Sequence, residues 1–167
     1  MKLSLLLALA PFVAAAPSIQ RRDNTITAAT IAPVLTYLAT LTTNVTSSLS
    51  PIPIAGGNLS VGQVNPGVIS GPGLNATLDG GLFYTSNYGE NIIPAFYGYG
   101  STSDNYTFLL ISSSIGVPGG NFHGYDSLYI GGNYVNESES FLISDVQYTP
   151  TAGGNYDVKG LIFSVTN

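Results

Sequence analysis

Seven glycine- and proline-rich breaks divide this chain, at Gly56-Gly57, Pro66-Gly67, Gly71-Pro72-Gly73, Gly80-Gly81, Gly119-Gly120, Gly131-Gly132 and Gly153-Gly154. Proline fixes φ and glycine reaches φ > 0 without strain, so each cluster can reverse an extended chain. Thr, Val, Ile, Tyr and Phe fill the short runs between the breaks, and these residues suit a pleated, half-buried surface. Charged residues are only 8% of the sequence, and good helix formers are scarce. The most helix-like stretch, residues 28–41, contains Pro33 and several threonines, and its part from Val34 to Thr43 fits a strand better. We read strands near 34–43, 57–64, 74–79, 81–87, 92–100, 105–112, 123–130, 139–148 and 156–166. Turn signals at intervals of roughly 8–12 residues indicate an all-β sandwich or barrel. No fixed-period repeat is visible, which argues against a solenoid or propeller.

Strand alternation places individual side chains. After the Gly71-Pro72-Gly73 corner, Leu74, Ala76 and Leu78 share one face and are expected inside, while Asn75, Thr77 and Asp79 face solvent. Gly80-Gly81 is expected to be a hairpin corner. The stretch resembles a phosphate-gripping loop in composition only, since it has neither the lysine nor a following helix. In Asn105–Ser112 the same rule puts Tyr106, Phe108 and Leu110 inside and leaves Leu109 and Ile111 outside with Asn105. A strand apolar on both faces is usually covered on both, here by the N-terminal segment or by another subunit.

The N-terminus reads as an address. Lys2, the apolar run Leu3–Val13 and the small residues Ala14-Ala15-Ala16 make the pattern of a secretory signal peptide over residues 1–16. Arg21-Arg22 resembles a processing site closing a short propeptide at 17–22, so the mature domain is expected at 23–167. The apolar run is far shorter than the ~20 residues of a membrane-spanning helix, so no membrane anchor is expected. Without that segment Lys159 is the one remaining Lys or Arg, set against nine Asp and Glu. So acidic a surface repels phosphate backbones, and nucleic acid is excluded as a partner. The chain has no cysteine, so stability must come from a core and thiolate chemistry is absent. Five Asn-X-Ser/Thr sequons, at Asn44, Asn58, Asn75, Asn105 and Asn136, suit a secreted, extracellular glycoprotein.

Several segments together resemble the small β-barrel family called domain of unknown function 3237, particularly its secreted fungal-type members. They are Gly56-Gly57, Ile69–Gly81, Tyr97-Gly-Tyr-Gly-Ser-Thr-Ser-Asp104, Ile130-Gly-Gly-Asn-Tyr134 and Gly160–Val165. Their order and spacing carry the resemblance, which spans roughly residues 30 to 167. It implies a single antiparallel β-barrel of about 8–10 strands, closed or nearly so. It brings no catalytic residues.

The chemical inventory is short. His123, the one histidine, lies near Asp126 and could act as a base, but no Gly-X-Ser-X-Gly elbow accompanies it. Asp79, Glu90, Asp104, Asp126 and Asp145 are the carboxylates weighed for glycosidase chemistry, and most fall at predicted turns. No metal-ligand spacing and no calcium-loop motif is present, so no metal and no cofactor is expected. Tyrosine is the distinctive resource, with eleven in the chain. Tyr84, Tyr88, Tyr97, Tyr99, Tyr106, Tyr125, Tyr129 and Tyr134 lie on or beside expected strands and could line a pocket for a flat organic ligand. The resemblance puts Tyr97, Tyr99, Asp104 and Tyr106 at a barrel rim, and these are the expected ligand-binding residues. Three functions stay open. One is a barrel binding a small apolar or aromatic ligand, and another is a small enzyme of isomerase or cyclase type using Asp, Tyr or His. The third is an interaction protein with a filled barrel. A hollow interior separates the first two from the third, and a titratable group pointing into it separates the first two from each other.

Overall fold

The computed structural model describes residues 33–47 and 49–166. The signal peptide expected at 1–16, the propeptide at 17–22 and the start of the mature chain lie outside the described residues. The strands are β1 (Val34–Ser47), β2 (Ile52–Ile54), β3 (Gly57–Val64), β4 (Gly67–Ser70), β5 (Ala76–Tyr88), β6 (Asn91–Thr102), β7 (Thr107–Ile115), β8 (Phe122–Ile130), β9 (Phe141–Pro150) and β10 (Tyr156–Thr166). A short helix α1 (Val135–Glu139) sits between β8 and β9, a departure from the all-strand reading. From β5 to β10 each strand pairs antiparallel with the next. β1 closes the sheet on β10, from Val34 opposite Thr166 to Val45 opposite Tyr156. β3 and β4 lie end to end between β1 and β5, so the molecule is a closed antiparallel barrel of eight staves. Closure leaves no long sheet edge exposed, which is how a β-rich chain with so few charges avoids edge-to-edge aggregation.

The Gly71-Pro72-Gly73 corner links β4 to β5, and Leu74, Ala76 and Leu78 are buried as the alternation requires, with Asn75, Thr77 and Asp79 exposed. The corner expected at Gly80-Gly81 is not there, because β5 runs straight through it from Ala76 to Tyr88. The two glycines serve close packing instead of reversal. A Cβ on Gly81 would stand 1.9 Å from the Tyr97 carbonyl oxygen of β6. The register against β6 shifts between Leu78 and Gly80, with Asp79 as the extra residue. One extra residue reverses every later side chain. Beyond the bulge the odd positions turn inward: Phe83 is buried, while Leu82 is exposed. Opposite this bulge the β3–β4 stave breaks at Asn65-Pro66. Asn65 seals the gap, since its N–H donates to the Asn44 carbonyl (2.9 Å) and its carbonyl accepts from Thr43 Oγ1 (2.6 Å). The true reversal is Gly89-Glu90, where Gly89 adopts φ 60°.

The core is uneven along the barrel axis. Leu41, Leu78, Phe96, Leu110, Leu128, Leu142, Val158 and Ile162 fill the middle and the end where β6 meets β7. In β7 the inward pair is Phe108 and Leu110. Tyr106 precedes the strand and is exposed, against expectation, because Asn105 takes φ 66° and turns the chain before pairing starts. Leu109 is 38% exposed and Ile111 is half-buried on the outer face, where Leu109 lies between Tyr99 of β6 and Tyr129 of β8.

Candidate functional site

The other end of the barrel is hollow. A cavity of about 290 Å³ opens there, within the size range of small-molecule sites. Phe83, Thr85 and Asn87 reach it from the reversed half of β5, Ile92 and Pro94 from β6, Phe122 from β8 and Tyr148 from β9. The walls are mainly apolar. Tyr148 makes the floor, with its ring 5.0 Å from that of Phe122 in an edge-on contact and 5.7 Å from that of Phe83. Asn87 Oδ1 is buried in the wall without a hydrogen-bond partner. A buried acceptor left unpaired costs roughly 1–3 kcal/mol.

Beneath the floor lies a much smaller space of about 10 Å³, bordered by Tyr148, Asp126, Ser112, Ser144 and apolar residues of β1, β6 and β10. It has room for roughly one water. Asp126 is 5% exposed. Its Oδ1 accepts from Ser144 Oγ at 3.1 Å, and its Oδ2 has no partner. Burial pushes the Asp126 carboxyl above the usual carboxylate range, and the Ser112 and Ser144 hydroxyls beside it recover only part of that shift. Burial also raises the Tyr148 phenol, against the pull of the Ser114 hydroxyl and with a further push from Asp126. At neutral pH Tyr148 is therefore a neutral hydrogen-bond donor.

The expected site residues lie elsewhere. Tyr97 and Tyr99 alternate with the inward residues Phe96, Gly98 and Gly100, so their side chains are on the outside of the barrel, where Tyr97 stacks on Tyr84 at 6.0 Å. Asp104 and Tyr106 lie in the β6–β7 turn at the filled end. There the Tyr134 hydroxyl donates to Asp104 Oδ1 (3.0 Å), and the Tyr106 and Tyr134 rings meet edge-on at 6.4 Å. Hydrogen bonds from the Thr102 and Tyr134 side chains hold Asp104 below the usual carboxylate range. None of the four lines the cavity. His123 also faces out, 72% exposed, with Nδ1 3.7 Å from Asp145 Oδ1. Residues three apart on a strand point to opposite faces, so His123 and Asp126 cannot act as a pair. Asp79 and Glu90 are exposed. Among the described residues no group of three or more His, Asp or Glu could hold a metal ion. Asn58, Asn75, Asn105 and Asn136 are exposed. Asn44 is half-buried, and its amide donates to Asp157 Oδ1 at 3.1 Å.

The sequence reading missed Phe83, Asn87, Phe122 and Tyr148 as site residues. Two of them carried a signal: Phe122 and Asp126 share a parity in β8, and Tyr148 shares one with Leu142 and Val146 in β9. Phe83 and Asn87 carried none, because their parity depends on the bulge.

No protein-family model matches the chain, and no curated protein matches it. Solved structures do. A conserved protein of unknown function from Rhodopseudomonas palustris superposes with a TM-score of 0.67 at 13% identity, covering 80% of this chain and 98% of that one. A β-barrel-like protein from Acinetobacter baumannii gives 0.64 at 11% identity, with coverage of 80% and 96%. An enzyme from Penicillium herquei gives 0.57 at 13% identity, with coverage of 80% and 95%. At such identities the likeness shows a shared barrel fold.

Proposed function

We propose that this barrel holds a small, uncharged, mostly apolar or aromatic ligand in the cavity at its open end. One observation carries the reading: a cavity of about 290 Å³ is walled mainly by apolar side chains, Phe83, Ile92, Pro94, Phe122 and the Tyr148 ring. The apolar walls supply affinity for an uncharged ligand. A filled barrel would instead have favoured a purely structural role. The test is native mass spectrometry of protein recovered from culture medium, which is expected to reveal a co-purifying small molecule. Thr85→Trp, which fills the cavity, is expected to abolish it. Wild-type protein that carries nothing and shows no binding of neutral bicyclic aromatics would refute the reading.

The buried Asp126 beside Tyr148 favours a second reading, in which the held compound is also rearranged. The Penicillium herquei neighbour, which shares the barrel fold, is an enzyme, and that supports this second reading. The protein's place outside the cell is part of the same proposal. Residues 1–16 have the pattern of a secretory leader, and four of the five sequons stand on exposed positions where a glycan meets no obstacle. Membership of the domain of unknown function 3237 family is likewise proposed, supported by the ordered motifs together with the barrel. No helix among the described residues is long and apolar enough to cross a membrane.

A further inference from the structure

Asp126 is an unexpected choice for a purely structural position. It sits inside the barrel with no cation beside it. The described cationic or potentially cationic side chains, Lys159 and His123, are both on exposed positions. Tyr148 from β9 is the one other titratable group bordering the small space. The residues contributed there by β1, β6, β7 and β10 (Leu41, Phe96, Ser112 and Ile162 among them) carry no charge. An asparagine would accept the same bond from Ser144 without ever facing ionisation in an apolar setting. The free oxygen, Oδ2, belongs to the residue that borders this space, and the Tyr148 side chain is the wall that divides it from the large cavity. That ring meets Phe122 edge-on and Phe83 at a tilt, and joining the two spaces requires it to rotate.

We propose that the two spaces form one substrate site, with Asp126 as its general base and the Tyr148 hydroxyl as the hydrogen-bond donor to the oxygen that takes up charge. The substrate class is a flat, largely apolar β,γ-unsaturated ketone, with a removable proton on the carbon between its carbonyl and its double bond. The inference rests on the cavity being the ligand site. In the reaction the C–H bond beside the carbonyl breaks and its proton passes to Asp126 Oδ2. The electron pair moves into the carbonyl to give an enolate, whose oxygen Tyr148 holds. Asp126 then returns the proton to a different, conjugated carbon. The net result is a shifted double bond, with nothing oxidised or reduced and no co-reactant consumed. Burial suits both groups to these roles. A carboxylate in an apolar setting is a stronger base than one in water, and a phenol that resists ionisation remains a donor at neutral pH.

The test uses β-tetralone, a neutral bicyclic ketone, with the full chain in deuterium oxide. Nuclear magnetic resonance follows loss of the protons beside the carbonyl, and saturation transfer from the protein reports binding. The wild-type protein is expected to accelerate exchange by about 10²-fold or more over buffer, with a rate that rises with pH and levels off as one carboxyl finishes ionising. D126N is expected to bind the ketone and exchange it at the buffer rate. Y148F, which keeps the ring and loses the hydroxyl, is expected to bind it and exchange it about tenfold more slowly than wild type. Binding with exchange at the buffer rate in the wild type overturns the inference and leaves the cavity reading standing, as does unchanged exchange in D126N. Absence of binding overturns both. The wild-type pH profile decides the matter without a variant, because a rate that climbs without levelling is solution hydroxide at work and not Asp126.

Discussion

Replacing Asp126 with asparagine should stabilise this protein, and the gain has a calculable ceiling. At pH 7 a buried carboxyl has two options: it stays ionised and bears the cost of burial, or it takes up a proton. Protonating a carboxyl of ordinary pKa, about 3.9, at pH 7 costs roughly 1.36 kcal/mol per pH unit, or about 4 kcal/mol in all. The penalty that Asp126 imposes at neutral pH therefore lies between zero and about 4 kcal/mol. Asparagine escapes it and still accepts the bond from Ser144 Oγ. A domain of this size gains about 2–4 °C in melting temperature per kcal/mol, so D126N should melt several degrees higher than wild type at pH 7. The pH dependence gives the sharper signature. Burial raises the folded-state pKa of Asp126 above its unfolded value. The folded chain thus binds more protons than the unfolded chain between the two values, and wild-type stability falls as pH rises through that interval. D126N lacks this slope. The two stability curves should converge below pH 4, as the carboxyl becomes protonated in both states, separate as pH rises, and run parallel above the folded-state pKa. Urea denaturation followed by far-ultraviolet circular dichroism from pH 3.5 to pH 8 measures the gap directly. A D126N protein less stable than wild type at pH 7, or a gap independent of pH, would refute the reasoning. A stabilising change that also removes ketone exchange is the trade-off expected of a residue kept for its chemistry.

Tyr148→Phe should flatten the alkaline limb of the same stability profile. The folded-state pKa of Tyr148 is raised by burial, so its contribution is intact below the unfolded phenol value of about 10 and is lost as pH rises through the folded one; equal alkaline slopes in Y148F and wild type would count against this. Gly81→Ala should lower stability by about 1–3 kcal/mol, because its Cβ would fall 1.9 Å from the Tyr97 carbonyl oxygen and force β5 and β6 apart, and thermal melts read the loss. Leu142→Ala, at a fully buried position, should cost about 2–5 kcal/mol in the same assay. Leu109→Glu tests self-association through the outer face of β7, and light scattering should show a lower mass than wild type if copies meet there through Tyr99, Leu109 and Tyr129.

The all-β class, most strands and the inward set Leu74, Ala76 and Leu78 were legible in the residues. They rest on a period of two between turn residues, and that signal is local to a few positions. The candidate site was not legible, and for two physical reasons. Parity survives only while the register does, and the Asp79 bulge reversed it. Leu82 and Tyr84 were thereby sent outward, and Phe83, Thr85 and Asn87 were brought to the cavity. No feature of the Gly80-Gly81 pair distinguishes a corner from a close strand crossing, because the deciding contact is the backbone of Tyr97 in another strand. Closure is the second reason. Val34 meets Thr166 only because eight staves complete a ring, and which inward side chains then share a depth follows from the ring and not from spacing along the chain. Asp126 and Tyr148 were visible as residue types from the start, but only the closed barrel, filled at one end and open at the other, brought them to the lining of one small space.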